Sequence, residues 1–299
     1  MKHAYEPEIS VVMGVYNQWD RKALHDAVAS VLDQTFRDFE FIIYDDGSDE
    51  EAAGYIRELG TLDERIVLIG REENHGLAFS LNACIKRAKG RYIARMDADD
   101  IALPGRLLAQ YEFMEAHPEY AWCGCNAKLF DASGVWGARF MPECPSDRDY
   151  LPFSPFIHPT VMYRRELFEK NDGYQVSEET LRCEDYEIFM RLHQSGYRGY
   201  NLQQFLFCYR EDTASFQRRK FCFRKAEMRL RYRNFKAMHM LFPSGWLYCL
   251  RPLLGGLLPY ALVAFMKRKE AGYKYGRKQT AGTENPQLQA ELTEKSGVL

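Results

Sequence analysis

The sequence predicts an α/β protein with a mostly parallel, Rossmann-like sheet flanked by helices, and three observations carry that prediction. Through residues 1–115, apolar runs of strand length alternate with stretches of helical periodicity. The runs are nearly continuous, as strands buried on both faces require. Each run ends in polar residues, and in such sheets ligands collect beyond the carboxyl ends of the strands.

Taken in order, ISVVMGVYN (Ile9 to Asn17) is the first strand with its polar tip. Leu24, Ala27, Val28, Val31 and Leu32 then recur at helical spacing behind Asp20, a residue suited to the N-cap. FEFIIYDD (Phe39 to Asp46) is the second strand, and Ser48-Asp49-Glu50-Glu51 has the form of a capping box opening the next helix. RIVLIG is the third strand, followed by a helix with Leu77, Leu81, Cys84, Ile85 and Ala88 on one face. YIARM leads into Asp97, Asp99 and Asp100, and Pro104 fits the first turn of a helix directing Leu107, Leu108, Tyr111 and Met114 inward.

From Ala121 the rhythm is less regular. AWCGCNAKLF and PTVMYRR read as strands, a Pro-rich stretch runs from Pro142 to Pro159, and EDYEIFMRLHQSG reads as a helix closed by Gly196. With no flexible linker between the halves, residues 1–216 form one domain: a ligand-binding part over about 1–115 and a second part over about 116–216. Residues 217–278 form a helical, partly hydrophobic and basic extension, and 279–299 a polar tail of disordered composition.

Forty Lys+Arg against 42 Asp+Glu give a net charge of −2, which supplies no global attraction to nucleic acid. Eight scattered cysteines, without zinc-type spacing or an N-terminal signal segment, indicate a reducing cytoplasm. Pro252 to Met266 is uncharged but shorter than the roughly 20 residues that cross a bilayer, and a basic cluster follows it. Residues 243–278 therefore read as a membrane-surface contact, at the inner face of the cell membrane, or as a docking hairpin for the main domain or a second subunit.

Three carboxylates behind an apolar strand repel one another unless a cation shares them, so Asp97 and Asp99 are candidate ligands for Mg²⁺ or Mn²⁺. Alternation along an extended segment turns Asp100 toward the scaffold. Asp45 and Asp46, at the tip of the second strand, can accept hydrogen bonds from a base or a ribose. Asn74, His75, Gly76 and Asn82 offer amides to ribose or diphosphate, and Arg71 can neutralise phosphate. Arg95, inside an apolar strand, needs a carboxylate or a ligand to offset its burial. His158 can bind diphosphate or order its own turn before Pro159. Glu184-Asp185 open a helix, where carboxylates complement the dipole and one can act as a general base. Neither GxGxxG nor GxxxxGK[ST] follows the first strand, which argues against a dinucleotide or P-loop cradle.

The segments VVMGVYN, IIYDDGSDE, NHGLAFSLN, ARMDADDIALPGRL, HPTVMYRR, NDGY and EDYEIFMRL occur in the order found in family 2 glycosyltransferases. Over about residues 8–212 the sequence resembles that family, especially its bacterial cell-surface polysaccharide enzymes. The resemblance implies a GT-A fold and inverting transfer from a nucleoside diphosphate sugar, a UDP-sugar foremost, to a glycan or lipid-linked acceptor. It places Val15, Asn17 and Asp46 around the nucleobase, Asp97 and Asp99 on the metal, Asp185 as base and Glu184 at the acceptor, with Gly173-Tyr174 on the acceptor side. Where the family often carries Tyr-Arg-x-His, this sequence reads Tyr209-Arg210-Glu211-Asp212, making Asp212 the candidate third metal ligand. The rival readings are a nucleotidyltransferase that makes a nucleotide sugar and a noncatalytic, membrane-associated assembly subunit.

Overall fold

The computed structural model describes residues 6–211, 221–257 and 265–272. Its first half alternates as the sequence predicts: β1 (Ile9–Val15), α1 (Arg21–Leu32), β2 (Phe39–Asp46), α2 (Glu50–Leu59), β3 (Ile66–Arg71), α3 (Leu77–Arg87) and β4 (Tyr92–Arg95). A short β5 (Ile101–Ala102) and α4 (Arg106–Ala116) follow. The second half contains β6 (Trp122–Asp131), β7 (Gly134–Arg139), β8 (Met162–Arg164), α5 (Glu166–Lys170), α6 (Glu184–Gln194) and β9 (Gly199–Arg210). Helices α7 (Phe221–Ala237) and α8 (Trp246–Leu257), with a helical stretch over 265–272, lie in the described part of the extension.

All nine strands join one sheet in the order β3-β2-β1-β4-β8-β6-β9-β5, with β7 on β6. The β3-β2-β1-β4 half is parallel. Beyond β4, antiparallel β8 links it to β6, which pairs in parallel with β9. Register brings the strand tips side by side, Val15 opposite Asp45 and Asp46 opposite Arg71.

Two apolar layers sandwich the sheet. Leu24 and Val28 of α1, Ile56 of α2 and Leu107 and Met114 of α4 bury one face. Leu81 and Cys84 of α3, Ile188 and Phe189 of α6 and Leu230 and Phe235 of α7 bury the other. Burying a large aliphatic or aromatic side chain contributes about 1.5–3 kcal/mol, so these rows fix which helix lies on which face.

Local chemistry confirms one boundary and shifts two. Asp20 caps α1, accepting from the Ala23 N–H at 3.0 Å, as its position predicts. The cap of α2, however, is Asp49, which accepts from Ala52, while the Ser48 hydroxyl accepts from the Asn17 N–H. Pro104 precedes α4, which begins at Arg106, and Leu108 faces solvent. All eight cysteines are free, and six are buried, the packing role expected for most of them.

Candidate active site

The carboxyl ends of β1, β2 and β3 form one polar rim. Asn17 adopts a left-handed backbone (φ 46°), which Asn tolerates better than most residues. It links two loops: its N–H donates to Ser48 Oγ at 3.0 Å, and its Oδ1 accepts from the Asp49 N–H at 2.8 Å. Val15 enters the rim only through its backbone, because its side chain is buried in the core. Tyr16, which with Asn17 forms the polar tip expected of the first strand, projects from the end of β1 with half its surface exposed. Its signal was an aromatic residue beyond an otherwise buried run.

Asp46 organises the neighbouring segment. Buried at the tip of β2, it accepts from Asn74 Nδ2 and the Gly76 N–H on one oxygen and from the His75 N–H on the other, at 2.9, 2.7 and 3.0 Å. A carboxylate has about four acceptor positions, so roughly one remains for a ligand donor. Asp45 is less buried, and its Oδ1 accepts from the Ser48 N–H. Arg71, exposed at the β3 tip, places its guanidinium 5.3 Å from the Phe79 ring centre.

At β4, the structure places Arg95 beneath the rim, with 1% of its surface exposed and its guanidinium paired with the half-buried Asp97 carboxylate. Of the two partners the sequence left open for Arg95, a carboxylate or a ligand, the structure supplies the carboxylate, which answers how a charge survives in an apolar strand. Asp99 is partly exposed, whereas Asp100 is buried, turned into the scaffold as strand alternation requires. Burial and the charges of Asp97 and Asp99 push the Asp100 carboxyl well above its ordinary range. Its Oδ1 accepts from the Arg210 N–H at 2.7 Å, and Arg210 Nε donates to the Asp99 carbonyl at 2.9 Å. The end of β9 thus anchors the acidic segment.

Two partly exposed carboxylates are hard oxygen donors and suit Mg²⁺ or Mn²⁺, which are commonly held by one or two carboxylates together with waters and substrate phosphates. Among the described residues no group of three His, Cys, Asp or Glu side chains could hold a metal by itself. Asp97 and Asp99 therefore fit an ion shared with a substrate. Asp212 lies outside the described residues.

The side that the resemblance assigns to the acceptor is built around Tyr174. Asn82 clamps its backbone by two bonds of 2.8 Å, Nδ2 donating to the Tyr174 carbonyl and Oδ1 accepting its N–H. This replaces the predicted contact of Asn82 with ribose or diphosphate, since the amide is engaged within the protein. The clamp also explains Gly173, where a Cβ would lie 2.3 Å from Asn82 Oδ1. Arg191 of α6 donates to the carbonyls of Asp172 and Gly173, at 2.9 and 2.6 Å, and pairs with buried Glu187. His158 is buried, 2.8 Å from the Tyr174 hydroxyl through Nε2. Desolvation and the nearby Arg95 charge push its pKa well below the ordinary value. A neutral, enclosed imidazole is a support for Tyr174, which corrects its assignment to diphosphate.

Glu184 and Asp185 open α6 beside this cluster. Asp185 is partly exposed at the helix N-terminus, where the dipole favours a negative charge. Glu184 is buried, its Oε2 has no hydrogen-bond partner among the described residues, and burial, with the adjacent Asp185 charge adding to it, pushes its pKa up to about 7. Both Arg95 and Asp185 lie within electrostatic reach of Tyr174, joining the acidic segment of β4 to the start of α6.

The geometry agrees with what known proteins show. The model of glycosyl transferase family 2 matches residues 10–172. EpsE of Bacillus subtilis (strain 168), assigned as a glycosyltransferase, is 34% identical over 90% of this chain and 97% of its own length. The O-antigen biosynthesis glycosyltransferase WbnJ of Escherichia coli is 33% identical over 70% of this chain and 82% of its own. Among solved structures, S. aureus TarS 1-349 in complex with UDP-GlcNAc aligns with a TM-score of 0.62 at 18% identity, covering 81% of this chain and 72% of that one. The mannosyltransferase PcManGT from Pyrobaculum calidifontis, in complex with GDP-Man and Mn²⁺, aligns at 0.59 and 17% identity over 97% of this chain and 86% of that one. These likenesses establish the fold.

A Rossmann-like sheet with carboxylates at its strand tips, matched by relatives named as glycosyltransferases, defines a glycosyltransferase of GT-A fold. The chain belongs to glycosyl transferase family 2.

Proposed function

We propose that the protein transfers a sugar, with inversion, from a UDP-sugar to a hydroxyl of a glycan or lipid-linked oligosaccharide in surface polysaccharide synthesis, at the inner face of the cell membrane. The carrying observation is that two separate acidic groups stand within electrostatic reach of Tyr174: Asp97 through its partner Arg95, and Asp185 at the start of α6. The substrate class follows relatives such as WbnJ, whose name specifies O-antigen biosynthesis, and the donor follows the TarS complex with UDP-GlcNAc.

In this reading Asn17, Asp45, Asp46 and Arg71 receive the nucleoside and its phosphates at the β1–β3 rim. Asp97 and Asp99 would hold Mg²⁺ or Mn²⁺, which supplies neutralisation of charge on the leaving diphosphate. Asp185 accepts the proton of the acceptor hydroxyl while that oxygen bonds to the anomeric carbon. The bond from that carbon to the diphosphate oxygen breaks with its electron pair, and direct displacement inverts the centre. Glu184, buried beside Asp185, stands at the acceptor in this reading.

Asp185→Asn tests the assignment, since it keeps the shape and removes the basic oxygen. Loss of a general base costs about 10² to 10⁴-fold in rate, so kcat should collapse while donor affinity, measured by calorimetry, stays near normal. Near-normal kcat would remove Asp185 from the mechanism.

A further inference from the structure

We propose that α7 and α8 dock the protein on an anionic lipid bilayer, with α8 lying in the plane of the interface, its apolar face in the lipid, and the basic stripe of α7 toward the headgroups. The inference deepens the reading of a membrane-side acceptor by naming the surface that meets the membrane, and its evidence is independent of catalysis.

The apolar face is continuous. Trp246, Leu247, Leu250 and Leu254 are exposed, at 47, 52, 38 and 60% of their surface, and their spacing puts them on one side of α8. Phe242, just before the helix, is 81% exposed, whereas Cys249 and Pro252 are buried. Single exposed apolar side chains are ordinary, but a row of large ones along one helix marks an interaction surface.

The adjoining helix supplies the charge. Lys225, Arg229, Arg233 and Lys236 are exposed at helical spacing along α7, opposite its buried Glu227, Leu230, Arg231, Asn234 and Phe235. Helices α7 and α8 pack together, and Arg224 Nη1 donates to the Pro252 carbonyl at 3.1 Å. An apolar face on one helix and exposed basic residues on the helix packed against it complement an anionic bilayer surface. A second copy fits less well: an isologous contact through this face would bring the same basic stripe near itself.

The described residues of α8, Trp246–Leu257, carry this face along about 18 Å. Among the described residues, no helix is long and apolar enough to cross a membrane. The docking surface is also fixed to the acceptor side. Gln194 at the end of α6 donates to Asn234 of α7 at 2.7 Å, and Arg231 donates to the Leu151 carbonyl at 2.8 Å. The helix that presents Asp185 thus carries the extension at its other end.

The test is flotation of the full chain with phosphatidylcholine vesicles, plain or containing about one-third phosphatidylglycerol. Binding should require the anionic lipid, weaken with salt and shift the tryptophan emission to the blue, with the shift reduced in Trp246→Phe. Combining Lys225→Gln, Arg229→Gln and Lys236→Gln should weaken binding roughly a hundredfold. Combining Trp246→Ser, Leu250→Ser and Leu254→Ser should weaken it at least about tenfold. Circular dichroism and UDP affinity should remain unchanged in both sets. No vesicle binding, equal binding to neutral vesicles, or binding indifferent to both sets would overturn the proposal. So would a dimer in light scattering that the serine set dissolves. Flotation is read without donor or acceptor, so failure of sugar transfer would count against the catalytic reading alone.

Discussion

Glu184 shows how strongly one residue's surroundings decide its behaviour. Its carboxyl is moved from 4.5 up to about 7, chiefly by burial. A raised acid pKa means that the folded protein holds a proton that the unfolded chain releases, so stability falls as pH rises between those values. At 1.36 kcal/mol per unit the loss approaches about 3 kcal/mol and then levels off. Glu184→Gln, which resembles the protonated form, should escape it. In urea titrations the variant should gain on the native protein from pH 4.5 to 7, whereas parallel curves would show that Glu184 ionises freely. The sequence exposed the pair Glu184-Asp185 but not this asymmetry, because burial at a helix start depends on what packs over it. Arg95 was the opposite case: an arginine amid apolar neighbours announces a buried partner, and Asp97 is two residues away.

At the scale of elements, side chains that read as ligand contacts serve to hold loops. The Asp46 carboxylate accepts from both the His75 and Gly76 N–H groups, so Asp46→Ala should loosen that segment. Hydrogen bonds to a charged group are worth about 1.5–3 kcal/mol, and amide exchange at these positions should speed up at least about tenfold, with a raised donor KM. Unchanged exchange would show that the loop holds itself. The clamp between α3 and the Gly173-Tyr174 turn gives a second expectation. Gly173→Ala pushes a methyl against the Asn82 amide, a strain of about 1–3 kcal/mol, and Asn82→Ala makes room for it. The double variant should be more stable than the two single losses added together, measured as a coupling energy in a mutant cycle. Additive losses would place the strain elsewhere. Asn82 and Tyr174 are 92 residues apart in sequence, which is why their pairing could not be read from local pattern. Ser48 shows the same limit at short range: its residue type suits a cap, yet Asn17 engages its hydroxyl.

For the whole molecule, a bound nucleotide is the natural probe of the site. A ligand at one hundred times its Kd adds about 2.7 kcal/mol to stability. UDP should therefore raise Tm, further with Mn²⁺, and Asp99→Asn should abolish the Mn²⁺-dependent part while the protein remains folded. An identical shift in EDTA would sink the metal assignment. The parallel half of the sheet was legible because Ile9–Val15 and Phe39–Asp46 are buried almost without interruption. The mixed half was harder. β5 has two residues, too short for any periodicity, and is a strand because β9 lies beside it, whereas the three residues of β8 fall within PTVMYRR, which reads as a strand in the sequence.

The placement of β9 carries a lesson about where this protein can be cut. The region that matches the family ends at residue 172, but β9 spans Gly199–Arg210 and lies inside the sheet, pairing with β6 from Trp122 to Phe130. A chain stopped at residue 172 would leave that long border of β6 open, a template for pairing with another molecule. Such a fragment should aggregate when expressed, while one extended through Glu211 restores the missing strand. The family match and the strand that completes the sheet therefore have different ends, about forty residues apart.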